Sequence, residues 1–367
     1  MIMKITKLGA LTLGAMMMLP AVSLRAEEGS AHHQLEAPAV TLTTEGFWNT
    51  TTGIANWVTL LNVDYEFGLW KDGALCVDLL AVANLRQEQG KSGVADNLHL
   101  FSAIEDSPST LALMTFGLGQ SLAEGKVWLY AGVRNLGNDY FTSPWNSVFT
   151  SAMNGLFPSI ATNFVVADAP KAAMALHAEW HAERHWSAKM SVYDGVASEL
   201  WSDLFCLNLR RDGVFMIGEV GYDGEGRGYL GCYNIGATYG YAPTAATLAR
   251  HSHEKSSRAS LWMLAEQPIY RWDNSRELEM ILHGAWAPQS DCDLYGGVAV
   301  VCSSLFQYSD YLGLLVARGL YRGGAETQVE LTYSIPVGHF NLQPAIHRVH
   351  ATHGNYTIAM MKVVLAI

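Results

Sequence analysis

The chain has 367 residues, half of them hydrophobic and only 16% charged, with a net charge of −11. A water-soluble domain usually carries about a quarter charged residues, so the deficit points to a surface that faces lipid. The acidic balance excludes the clustered basic footprint of a nucleic-acid binder, and a mean hydropathy of +0.10 is too low for a bundle of membrane helices.

The first residues read as an export signal. Lys4 and Lys7 supply the positive end, Leu8 to Leu19 a short apolar run, and Ala21-Val22-Ser23 or Leu24-Arg25-Ala26 the small residues of a cleavage site. The run is too short to span a bilayer; a retained anchor is the alternative. Residues 1–26 are therefore expected to be removed, leaving one domain over 27–367. Residues 27–46 are polar without a clear period and read as a periplasmic lead-in.

From residue 61 the chain alternates. Leu61, Val63, Tyr65, Phe67 and Leu69 share one face, while Asn62, Asp64 and Glu66 share the other. Strand side chains point to opposite faces with period 2, so this is a strand with an oily side and a wet side. Trp70-Lys71-Asp72-Gly73 turns the chain, and 75–85 returns with Asn84 and Arg86 assigned to the inner face. The pattern recurs at 127–134, with Val127, Leu129, Ala131 and Val133 outward and Trp128, Tyr130 and Arg134 inward. It returns at 172–180, 188–193, 214–222, 231–241, 278–286, 312–321, 327–335, 342–349 and 356–367. In the last strand Lys362 lies opposite an apolar face. Such strands behind an export signal predict an all-β fold, a transmembrane antiparallel barrel in which no edge meets lipid. A mature length of roughly 340 residues at about 20 per strand and connection gives about 16 strands. The 11 Trp and 16 Tyr suit girdles at the two membrane interfaces.

Residues 135–170 are too long for an idle connection. Two readings stay open: a loop folded into the lumen that narrows it, or an ordinary external loop. Gly226 to Gly231 matches G-x-G-x-x-G, but strand residues follow where a dinucleotide site needs a helix, so it reads as a hairpin turn. His177, Glu179, His181, Glu183 and His185 fall on one face of a strand and read as lumen or rim, not as a zinc helix. The five cysteines show no metal spacing, though Cys292 and Cys302 could bridge a loop. No cofactor or metal is expected.

Four stretches resemble the carbohydrate-selective porin (OprB-like) family. They are Gly68-Leu69-Trp70-Lys71-Asp72-Gly73, the segment from Asp96 to Glu105, Val133-Arg134-Asn135 through Asp139-Tyr140-Phe141, and Glu330-Leu331-Thr332-Tyr333 followed by Phe340 to His347. Their order spans most of 60–367. Departures are Ala345 and His347 at expected polar positions and a terminal Ile367 in place of an aromatic residue. The resemblance implies an outer-membrane diffusion channel for sugars and small solutes, without enzymatic activity, with a homotrimer as a candidate assembly. The alternatives are a barrel enzyme such as a lipid hydrolase, or a structural or adhesive barrel. A sugar presents apolar ring faces and a hydroxyl rim, so aromatic faces beside charged and amide groups suit its passage. The candidates for the pore lining are Asp64, Glu66, Arg86, Trp128, Tyr130, Arg134, Glu330, Gln343 and Lys362.

Overall fold

The computed structural model describes residues 37–86, 94–137, 139–182, 185–224, 231–272, 276–288, 290–307, 309–352 and 354–366. The export segment, Glu183, residues 225–230 and Ile367 lie outside the described residues. Sixteen strands pair in chain order, each antiparallel to the next. They are β1 (Ala39–Asn49), β2 (Ala55–Trp70), β3 (Gly73–Asn84), β4 (Thr110–Leu122), β5 (Val127–Arg134), β6 (Ala173–His181), β7 (Trp186–Asp194) and β8 (Val214–Asp223). There follow β9 (Cys232–Ala242), β10 (Ser256–Arg271), β11 (Glu277–Trp286), β12 (Cys292–Ser303), β13 (Tyr311–Tyr321), β14 (Gly324–Val337), β15 (Phe340–Ala351) and β16 (Gly354–Ala366). Strand β16 pairs with β1 from Thr41 opposite Ala366 to Asn49 opposite Ile358, which closes the barrel. The long connections 85–109, 135–172, 195–213 and 243–255 emerge at one end, the extracellular end of such barrels.

On β14 the alternation holds to the letter. Glu326, Gln328, Glu330, Thr332 and Ser334 are buried inside the barrel, while Leu331 is 46% exposed on the outer wall. The segment 39–46, read as lead-in, is instead most of β1. Thr41, Thr43 and Glu45 face inward, but Thr44 and Gly46 stand on the outer face beside Leu42, so the contrast between faces is faint. Strands β4, β10 and β12 were also not apparent in the alternation. Their inner faces carry Ala112 and Met114, Trp262 and Leu264, and Ala299 and Val301, all buried. With apolar residues on both sides, period 2 disappears.

The short β5 and β6 leave a gap in the wall. The chain departs at Asn135, so β4 pairs with β5 only over Phe116–Leu122, and Thr110–Thr115 have no β5 partner. An open edge facing lipid strands backbone polar groups. The connection 195–213 covers this edge from outside. Ala172 and Ser198 form a bridge. Trp201 then opens a one-turn helix (Trp201–Leu204), and its indole N–H donates to the Leu111 carbonyl at 2.7 Å. Leu204 is 2% exposed and packs with Leu113, Val133 and Ala172.

Candidate functional site

Two connections fold into the lumen. Of the two readings of 135–170, the inserted one holds. This loop carries Phe141, Trp145, Phe149, Met153, Phe157, Ile160 and Phe164 into a core with the inner faces of β6 to β13. Phe157 stacks on His283 and sits 5.2 Å from the Tyr295 ring, whose hydroxyl donates to Met153 O at 2.6 Å. The apolar inner faces of β10 and β12 are thus explained: they meet the loop rather than water.

Carboxylates of the wall hold the loop's backbone. Glu330 accepts from Thr150 N at 2.9 Å, Thr150 Oγ1 at 2.8 Å and Ser151 N at 2.9 Å. Glu266 accepts from Ser143 Oγ at 2.7 Å and Trp145 N at 2.8 Å. Gln343 donates to Val148 O at 2.7 Å. The described part of the second connection, 94–109, is held the same way. Glu326 accepts from Leu98 N and His99 N, and Glu45 accepts from Ser102 Oγ at 2.6 Å. Hydrogen bonds to an ionised acceptor are about twice as strong as neutral ones, so these four glutamates act as pins. Within the loops, burial pushes Asp168 up to about 6 and His99 down to about 4.

Between the loops and the wall lies a small open space. Thr43, Glu45 and Lys362 line it from β1 and β16, with Asn146, Ser147 and Asn154 from the long loop and Leu60, Phe141 and Phe149 as apolar faces. Lys362 Nζ is 3.8 Å from Glu45 Oε1. Asn146 and Asn154 spend their amide N–H groups on loop carbonyls, and their buried Oδ1 atoms have no partner among the described residues. The groups this space offers to a passing hydroxyl are the charged pair, with aromatic faces beside it.

The nine candidate residues fall into distinct places. Lys362 lines this space. Glu330 and Gln343 pin the long loop, and so does Arg134, whose guanidinium makes a two-bond pair with Asp139 at 2.7 and 2.6 Å and lies 4.7 Å over the Tyr130 ring. Trp128 and Tyr130 lie flat on the inner wall, 3% exposed, over Gly119 and Gly117, where any β-carbon would collide with their rings. Asp64 and Glu66 stand on the inner face of β2 towards the periplasmic end, Asp64 opposite Asp78. Arg86 lies beyond the end of β3, where its backbone N–H donates to Asn56 and Asn84. It is therefore not on the inner face of a strand.

Below the long loop, β6 to β8 carry an ionic network. Glu179 is 2.9 Å from His181 Nε2 and 3.9 Å from Lys189, which also reaches Glu219 at 3.8 Å and the carbonyl of Asp139 at 3.0 Å. The alternating His177, Glu179 and His181 thus belong to the inner wall, and no group of metal ligands occurs among the described residues. Cys292 and Cys302 stand at opposite ends of β12, both free, so the bridge considered from sequence does not form. Glu45, Glu266, Glu326, Asn146 and Asn154 were missed. Glu45 sat in the presumed lead-in, Glu266 and Glu326 fell outside the strands read, and the asparagines lay in a loop without periodicity.

Residues 73–363 match the family described as carbohydrate-selective porin, OprB family. The chain belongs to this family. The structure is similar to Pseudomonas putida OprB in its high-pH form, with a TM-score of 0.75 at 15% identity over 90% of this chain and 94% of that one. The low-pH form of the same protein gives 0.59 at 14% identity, covering 90% and 92%. A substituted form of the Rh. blastica porin gives 0.51 at 9% identity, covering 90% and 99%. These identities speak for the fold alone. No curated protein matches the chain by sequence. Family and fold together make this OprB-family protein an outer-membrane porin for carbohydrates, a channel and not an enzyme.

Proposed function

We propose that sugars cross between the two inserted loops, through the space bounded by Glu45, Lys362, Asn146 and Asn154. The observation that carries this reading is the Glu45–Lys362 charged pair on the wall side of this space, facing the aromatic Phe141 and Phe149 of the inserted loop. A sugar hydroxyl donates to the carboxylate or accepts from the ammonium, while Phe141 and Phe149 offer apolar surface to the ring. Each contact is weak enough for release, as conduction requires. Asp64, Glu66, Glu179 and Lys189 then form a wet periplasmic vestibule rather than the narrowest point. Glu330, Gln343 and Arg134 act on selectivity through the loop that they hold.

The test is solute flux in liposomes with sugars of increasing size. Glu45→Gln and Asn154→Ala should each change the ratio of mono- to disaccharide flux by several-fold, with the barrel still folded. Unchanged ratios in both would place the sugar path elsewhere. We also propose that residues 1–26 are removed on export, which N-terminal sequencing of the mature protein would establish. A homotrimer is the assembly proposed for a barrel of this size, and cross-linking in intact membranes tests it.

A further inference from the structure

The connection 195–213 turns outward, and its far half is apolar, basic and uncovered. Phe205 is 53% exposed, Leu207 62% and Leu209 50%. The exposed Arg210 and Arg211 follow directly. The next external connection brings Lys255 to the same place: its ammonium donates to Arg210 O at 2.6 Å and lies 5.4 Å over the ring of Tyr241. Tyr241 is 47% exposed on the outer face of β9, near its extracellular end, in line with Tyr239 and Ile235 on the lipid-facing wall. These basic groups therefore sit outside the barrel, at the height where the lipid-facing wall ends. The acidic residues of these two connections are Glu199, the exposed Asp203, Asp212, which is engaged by Arg211 and His253, and the exposed Glu254.

On a chain of net charge −11, three cations brought to one point at this height stand out, with acidic residues spread along the same two connections. Aromatic and basic residues at a membrane interface attract anionic headgroups, and the apolar residues beside them continue the lipid-facing wall. We propose that Arg210, Arg211 and Lys255 hold the phosphate of an outer-leaflet lipid, whose acyl chains lie against Phe205, Leu207 and Leu209. A free anion would have no use for the apolar half of the site. A neutral lipid would have no use for the basic half.

The experiment measures binding of bis-phosphorylated lipid A, and of the same lipid without phosphates, to the purified folded barrel in detergent. Two variants are compared with the parent: Arg210→Gln with Lys255→Gln, and Leu207→Ser with Leu209→Ser. Heat-modifiable migration confirms that each is folded. The site predicts a loss of about tenfold or more in the charge variant, and a similar loss on removing the phosphates. It also predicts weaker binding in the apolar variant, and no competition from millimolar inorganic phosphate. Equal binding by the charge variant, or of the dephosphorylated lipid, would overturn the phosphate contact. Competition by inorganic phosphate, with the apolar variant binding normally, would overturn the lipid in favour of a free-anion site.

Discussion

Two connections leave the same end of the barrel and fold in opposite directions. The one at 135–172 turns inward, and the one at 195–213 turns outward. Both are rich in large apolar residues, so hydrophobicity does not set the direction. What differs is the wall each one meets. The inner faces of β8 to β13 offer Phe215, Ile217, Trp262, Ile281, Tyr295 and Leu315, an apolar seat inside an otherwise wet lumen. Glu266 and Glu330 on the same wall supply acceptors for the backbone N–H groups that a buried loop must satisfy. The outward loop has a single wall carboxylate at its root, Asp194 at the end of β7, which accepts from Gly195 N at 3.0 Å and Asn208 N at 3.2 Å. Its outer turn is held by the Leu111 carbonyl and a small apolar patch at the gap that the inward loop leaves behind. The two are therefore complementary: one narrows the pore, and the other repairs the wall that this narrowing opens.

The comparison would break most visibly at Glu330. Replacing it with Leu leaves the backbone N–H groups of Thr150 and Ser151 buried without an acceptor. Stranding two such donors costs roughly 3–5 kcal/mol of loop seating. Single-channel conductance should rise several-fold while the barrel still shows heat-modifiable migration. An unchanged conductance would mean that the aromatic contacts alone hold the loop. Leu204→Ala should do the reverse. The cavity it opens on the outer wall costs about 2–3 kcal/mol, so unfolding in detergent should come earlier while conductance stays at the parental value. A conductance change there would show that the outer loop supports the pore directly.

The sequence reveals the barrel wherever one face meets lipid and the other meets water. That is why β2, β14 and β16 are legible residue by residue. It loses the wall where an inserted loop replaces the water. Trp262 and Leu264 on β10 point into the lumen and yet are apolar, because Phe141 and Phe157 cover them. The site suffers for the same reason. Glu330 and Gln343 could be assigned to the inner face, but their partners Thr150, Ser151 and Val148 lie in a loop whose path no local pattern encodes. Arg134 is read as inward from its strand, but its partner Asp139 lies in the loop beyond. The two-bond pair with Asp139 gives it a structural task in this conformation.

A smaller effect sharpens the account of the outer loop. Trp201→Phe keeps the apolar ring and removes only the N–H that donates to Leu111 O. The loss is one hydrogen bond, about 1 kcal/mol. The unfolding midpoint should fall by less than in Leu204→Ala, with hydrogen exchange increased locally at the start of β4. Exchange that increases equally along all strands would assign Trp201 a role in assembly rather than in capping this edge.

The smallest effect concerns acid and the inward side. The Nε2 atom of His99 is enclosed without a partner, and burial lowers its pKa from 6.5 to about 4. The unfolded or released loop binds a proton more readily than the seated one. The seat is thus fully stable above about pH 6.5 and weakens as pH falls towards 4. Between pH 7 and 6 the loss is under about 1 kcal/mol by linkage. Glu105, in the same connection, is shifted upward by burial, so acid favours its seated form and opposes the His99 effect. The variant His99→Phe separates the two, because it is neutral at every pH while Glu105 remains. Opening of residues 94–105, read by proteolysis or by hydrogen exchange corrected for its intrinsic pH dependence, should shift further towards the open form in the parent than in His99→Phe as pH is lowered from 7 to 6. The same acid response in both would trace the sensitivity to groups other than the imidazole.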